Sequence, residues 1–193
     1  GTGVTIGIAG IATFRSGRID VGDSLFNASI GEQAGDSYTT ATKVTAFGYR
    51  ALTANTTGHR NTATGTDSLL SNTTGAYNSA FGQDALGQNT TASNNTAIGR
   101  ATLYNNSTGS ENTAVGMNAL NANQTASNNT AVGQNALTSN TTGANNTSVG
   151  KSSLAANTTA SNNTAVGMNA LNANQTGTGN VALGVQALEN NTG

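Results

Sequence analysis

The chain contains no cysteine, no proline and no tryptophan, and its single histidine is His59. Without cysteine there is neither a disulfide framework nor a thiolate metal site, and one imidazole leaves almost nothing for histidine ligation. Charged residues make up 8% of the 193 residues and the formal net charge is −1, so the charge balance offers no basic patch for nucleic acid. No run approaches the ~18 apolar residues of a membrane-spanning helix. Large apolar side chains are also scarce, because much of the 35% hydrophobic fraction is alanine. What remains is small and polar: 33 threonines and 29 asparagines. Disorder of the usual kind combines low hydrophobicity with high net charge and abundant proline, and this chain has neither of the last two.

Periodicity decides the reading. Gly48, Gly65, Gly82, Gly99, Gly116, Gly133, Gly150, Gly167 and Gly184 recur at every seventeenth position, and Gly31 fits one step earlier although the coil after it matches poorly. Four residues after these nine glycines stand Leu52, Leu69, Leu86, Leu103, Leu120, Leu137, Leu154, Leu171 and Leu188. The residue before the glycine is apolar except at Thr64, and includes Val115, Val132, Val149 and Val166. Seven residues after each glycine comes asparagine, giving the consensus N-T-A-V-G-x-N-A-L-x-x-N-T-T-G-x-N.

A 17-residue period is too short for helix-pair repeats or a propeller blade. Threonine, asparagine and glycine are weak helix formers. The T-A-V-G core suits a strand, and N-T-T-G and A-S-N-N carry turn chemistry. About two short strands and two turns per coil are expected, stacked ~4.8 Å apart as a parallel β-solenoid. The leucine column and the column of Val115, Val132, Val149 and Val166 are the expected core, and the glycine column marks the turns. Alternation points Ala114 one way and Thr113 and Val115 the other. Neither face carries charge, as in strands buried on both sides, so the second face calls for a neighbouring chain. Each coil also offers little large apolar surface against the entropy of ordering its backbone. Self-association is expected.

Residues 1–26 fall outside the repeat and read as a lead-in segment of three short strands, with the solenoid of about ten repeats over 27–193. A first residue that is Gly and a last coil that stops at Gly193 predict part of a longer chain.

The N-T-A-V-G-x-N-A-L unit at Asn112 to Leu120, Asn129 to Leu137 and Asn163 to Leu171 resembles repeats of phage and marine-virus tail-fibre proteins. It is also similar to the S-V-A-I-G repeats of trimeric autotransporter adhesin heads, whose coil is shorter. The resemblance covers roughly residues 27–193. It implies an intertwined homotrimeric left-handed β-roll, extracellular or on a virion surface, that serves host attachment through a host-surface glycan or protein receptor. A cell-surface adhesin or extracellular filament is the alternative.

Sites for chemistry are few. No enzyme activity, cofactor or metal is expected, and no membrane insertion. Asp67 and Asp84 stand one period apart and suit either two solvated acids or the carboxylate pair of a glycoside hydrolase. His59 beside Arg60 reads as a surface turn. Calcium-binding rolls need G-G-x-G-x-D, and this chain has no Gly-Gly. The outward contacts are expected at variable positions after each glycine: Tyr49, Arg50, Thr66, Asp67, Arg100 and Met117. The asparagine columns suit stacked amide ladders. Asn55, Asn72, Asn89, Asn123, Asn140, Asn157 and Asn174 also form N-x-S/T sequons that a secretory host would glycosylate. The paired threonines raise an ice-binding surface, but adjacent strand residues face opposite ways and leave one threonine rank per face.

Overall fold

The structure, a computed structural model, describes residues 25–192. The lead-in strands expected within 1–26 lie outside the described residues, apart from Leu25 and Phe26. Ten three-residue strands, from β1 (Ala28–Ile30) through β6 (Thr113–Val115) to β10 (Val181–Leu183), form one parallel sheet in strict chain order. Each strand pairs with the next at an offset of one period, as in Ala114↔Ala131. The chain is a parallel β-solenoid. Each coil holds one strand rather than the expected two, and the rest is turn.

The turns are themselves paired along the axis. In the coil that begins at Asn112, the Gly116 N–H donates to Ile98 and the Asn118 N–H to Arg100, at 2.8 and 3.1 Å. The Leu120 and Ala122 N–H groups donate the other way, to Ala136 and Thr138, both at 3.0 Å. Tight turns close within the coil through Ala119 N–H to Gly116 and Asn123 N–H to Leu120, at 3.2 and 3.1 Å. Backbone groups that would otherwise need water are thereby satisfied in the turns as well as in the strands.

This geometry demands left-handed backbone. Gly116 has φ 125°, and a Cβ there would lie 2.7 Å from the Gly133 carbonyl one coil on, so the column is glycine. Leucine occupies the left-handed region too, with φ between 49° (Leu154, Leu171) and 53° (Leu52, Leu86). That conformation costs roughly 1–2 kcal/mol per residue for an L side chain. It allows neighbours such as Ala119 and Leu120 to be buried together, which strand alternation forbids. Burial of the leucine side chain offsets the strain.

The interior is narrow. The central strand residue points inward and is fully buried alanine at Ala63, Ala80, Ala97, Ala114, Ala131 and Ala165, with serine instead at the half-buried Ser29 of β1 and the buried Ser148. Ser148 Oγ donates to the Ser153 carbonyl at 2.8 Å and Ser153 Oγ to the Gly150 carbonyl at 3.0 Å, with the two hydroxyls in contact inside the stack. The leucine column is fully buried from Leu52 to Leu171, whereas Leu188 in the last coil is 52% exposed because no coil in the structure covers it. The valine column differs from expectation. Val115, Val149 and Val166 are half-buried and Val132 is exposed, on the outside of the sheet. Two amides and a leucine already fill each coil, and the inward strand position admits only alanine-sized groups.

Candidate functional surface

Two asparagine columns are buried within the stack. In the first, Asn72, Asn89, Asn106, Asn123, Asn140, Asn157 and Asn174 each donate Nδ2 to the Oδ1 of the asparagine one coil earlier, at 2.7 to 3.2 Å. In the second, Asn112 Oδ1 accepts the Asn129 backbone N–H at 3.0 Å, and the pattern repeats from Asn61 to Asn180. The columns meet: Asn112 Nδ2 and Asn123 Nδ2 both donate to the carbonyl of Ala126, at 2.9 and 3.0 Å. The second column stands in the consensus as its first letter, but only the fold shows that it is an interior amide.

This placement corrects the sequon reading. Asn55, Asn72, Asn89, Asn123, Asn140, Asn157 and Asn174 are all completely buried, and their Nδ2 atoms donate within the stack. The folded coil has no room for a glycan on any of them. At the first coil the ladders are interrupted. Tyr38 stands where the first column continues and Val44 where the second does, and the half-buried Tyr38 ring packs on the apolar core. That substitution is why the coil after Gly31 matches the consensus poorly.

The outer face of the sheet has two ranks. The third strand residue supplies Phe47, Phe81, Ile98 and Val132, all exposed, and the first supplies mainly threonine. Along the column after the glycines Tyr49, Thr66, Arg100 and Met117 are exposed. Arg50 and Asp67 are not free contacts. They lie one coil apart in the next column and form a two-point ion pair at 2.7 and 2.8 Å. The hydrogen bond to Asp67 is the leading cause that raises the Arg50 pKa above its ordinary value. The Arg50 guanidinium also lies 5.0 Å from the Tyr49 ring centroid. Asp67 is therefore committed to Arg50, while Asp84 follows it one coil on in the same column.

Elsewhere the threonine pairs divide their roles. Thr56, Thr73, Thr90 and Thr141 donate Oγ1 to a backbone carbonyl one coil ahead, at 3.0 to 3.1 Å. Their neighbours Thr57, Thr74, Thr91 and Thr142 are exposed and form a single rank. His59 packs edge-on against Tyr77 at 5.2 Å, with Arg60 on the same ring. Among the described residues no group of three or more His, Asp or Glu side chains gathers as a metal site, and no helix is long and apolar enough to cross a membrane.

No known protein family, curated protein or solved structure matches this chain.

Proposed function

We propose that this chain is a structural segment of an extracellular fibre, the shaft or head of a viral tail fibre that carries host attachment. The observation behind this reading is the axial pairing of the coils, continuous through all ten strands. Strand, turn and side-chain amide all bond to the next coil, so each repeat adds about 4.8 Å of ordered length. Stability in such a stack is close to a sum of like units and nearest-neighbour contacts, which suits a spacer. The hydrogen-bonded turns also leave little open backbone for a protease.

The exposed outer rank of Phe47, Phe81, Ile98 and Val132 supports self-association, and the resemblance of the repeats to adhesin heads makes the proposed assembly a left-handed homotrimer whose copies face one another through this column. An uncharged face repeating at each rung is met by an identical face at the same spacing. Immunogold labelling with antibodies to this chain tests the fibre assignment. Label along virion fibres, with block of host adsorption, is expected. Label on a cell envelope would transfer the segment to a cellular adhesin, and label confined to the cell interior would overturn the fibre reading.

A further inference from the structure

One surface column changes character along the axis. The residue two before each strand is left-handed in every coil, and strand register places Phe26, Lys43, Arg60 and Tyr77 in line on successive coils. Their φ values are 65°, 58°, 56° and 59°. Farther along, the same column is mostly asparagine, at Asn94, Asn128, Asn145 and Asn162. Asparagine tolerates this backbone, whereas a large side chain is strained in it. Four consecutive coils therefore accept strain to display aromatic, cation, cation and aromatic in a row. All four side chains are exposed, Phe26 at 75% and Tyr77 at 46%.

The row is partly organised in advance. The Arg60 guanidinium lies 5.1 Å from the Tyr77 ring centroid and Nη1 donates to the Tyr77 hydroxyl. His59 braces the same ring from its edge. Among the described residues neither Lys43 nor Arg60 is ion-paired with a carboxylate, in contrast to Arg50, which Asp67 neutralises. The two cations sit ~4.8 Å apart along the axis, one rung, with an aromatic one rung beyond each.

We infer that Phe26, Lys43, Arg60 and Tyr77 form a binding row for an acidic polysaccharide. Its sulfate or carboxylate groups lie on Lys43 and Arg60, and its sugar rings lie against Phe26 and Tyr77. Charge-assisted hydrogen bonds to the anion provide the stronger contacts, and a guanidinium suits either oxyanion. Nucleic acid is disfavoured, because it is held by an extended positive field, and this column continues into asparagine and then Glu111. The inference deepens the attachment role and rests on it.

Surface plasmon resonance on the full chain tests the row, with immobilised dextran sulfate, polygalacturonate, neutral dextran and a single-stranded oligodeoxynucleotide. One or both polyanions bind, neutral dextran does not, and the responsive polyanion identifies the anion. The double substitution Lys43→Asn with Arg60→Asn adopts the column's own default residue, so melting is unchanged or raised while affinity falls by about tenfold or more. Tyr77→Ala weakens the same binding. Unchanged affinity in the folded double variant, equal binding to neutral dextran, silence on both polyanions or preference for the oligonucleotide would each overturn the proposal. Any of these leaves the fibre assignment to its own labelling test.

Discussion

Asn112 and Asn123 lie in one coil, on either side of β6 and the turns that follow it, and donate their side-chain amides to a single acceptor, the carbonyl of Ala126. A carbonyl oxygen has two lone pairs, and here both are used. The same convergence occurs on Gly75, Ala92, Gly109, Gly143 and Ala160. It fails at the last full coil, where Asn163 Nδ2 is buried without a partner while Asn174 holds Gly177. The core of this solenoid is thus as much an amide lattice as an apolar one.

The lattice predicts an ordering of variants at Asn123. Asn123→Ala removes the donor to Asn106 Oδ1 and costs about 1–3 kcal/mol for each buried group left bare. Asn123→Asp is worse at neutral pH, since a buried carboxylate would face two acceptors. Burial raises the folded-state pKa of that carboxyl, so its penalty is full above the raised value and shrinks as pH falls toward the unfolded value near ~4. Urea midpoints at neutral and acid pH check both statements. Equal midpoints for the two variants at neutral pH would refute them.

The leucine column predicts a contrast three residues apart. Leu120 is fully buried and Met117 is 38% exposed. Leu120→Asp buries an unpaired carboxylate and costs on the order of 4 kcal/mol, whereas Met117→Asp costs under ~0.5 kcal/mol. Thermal melts of the two variants decide the matter. Similar losses would show that the facing is wrong.

Coil arithmetic supplies a third test. Removing Asn112 to Asn128 joins Glu111 to Asn129 with the glycine, leucine and asparagine columns in line, and the protein folds ~4.8 Å shorter. Removing Ala131 alone reverses the facing of every later strand residue in that coil and brings Val132 to the interior position, with marked destabilisation. The measurement is a melting curve for each. If they coincide, the coil is not the unit of stability.

Self-association gives the fourth. The wild-type chain is expected to run as a trimer in light scattering. The pair Phe81→Asp and Ile98→Asp, on exposed outer positions of adjacent coils, puts like charges one rung apart and shifts the mass toward monomer while the circular dichroism of the coil persists. A monodisperse wild-type monomer would end the trimer proposal.

Much of this architecture is written in the chain. A glycine at every seventeenth position, with leucine four later and asparagine seven later, determines the period and the stacking, because equivalent residues must meet in register. Helix is excluded by composition, and the charge-free strand pattern already marks an unusual outer face. What a linear pattern cannot carry is handedness of individual residues and depth. Nothing in the letters says that leucine adopts a left-handed backbone, so the burial of Ala119 beside Leu120 and the reduction to one strand per coil emerge only in the fold. Asn123 reads equally well as a sequon or as a ladder rung, and only burial separates the two, because burial depends on the coils above and below. Val115 and Ala114 compete for the same interior, and the available width, set by the two asparagines and the leucine of each coil, decides for alanine. Lys43 and Arg60 lie a full period apart in the chain and become neighbours through the stacking of their coils.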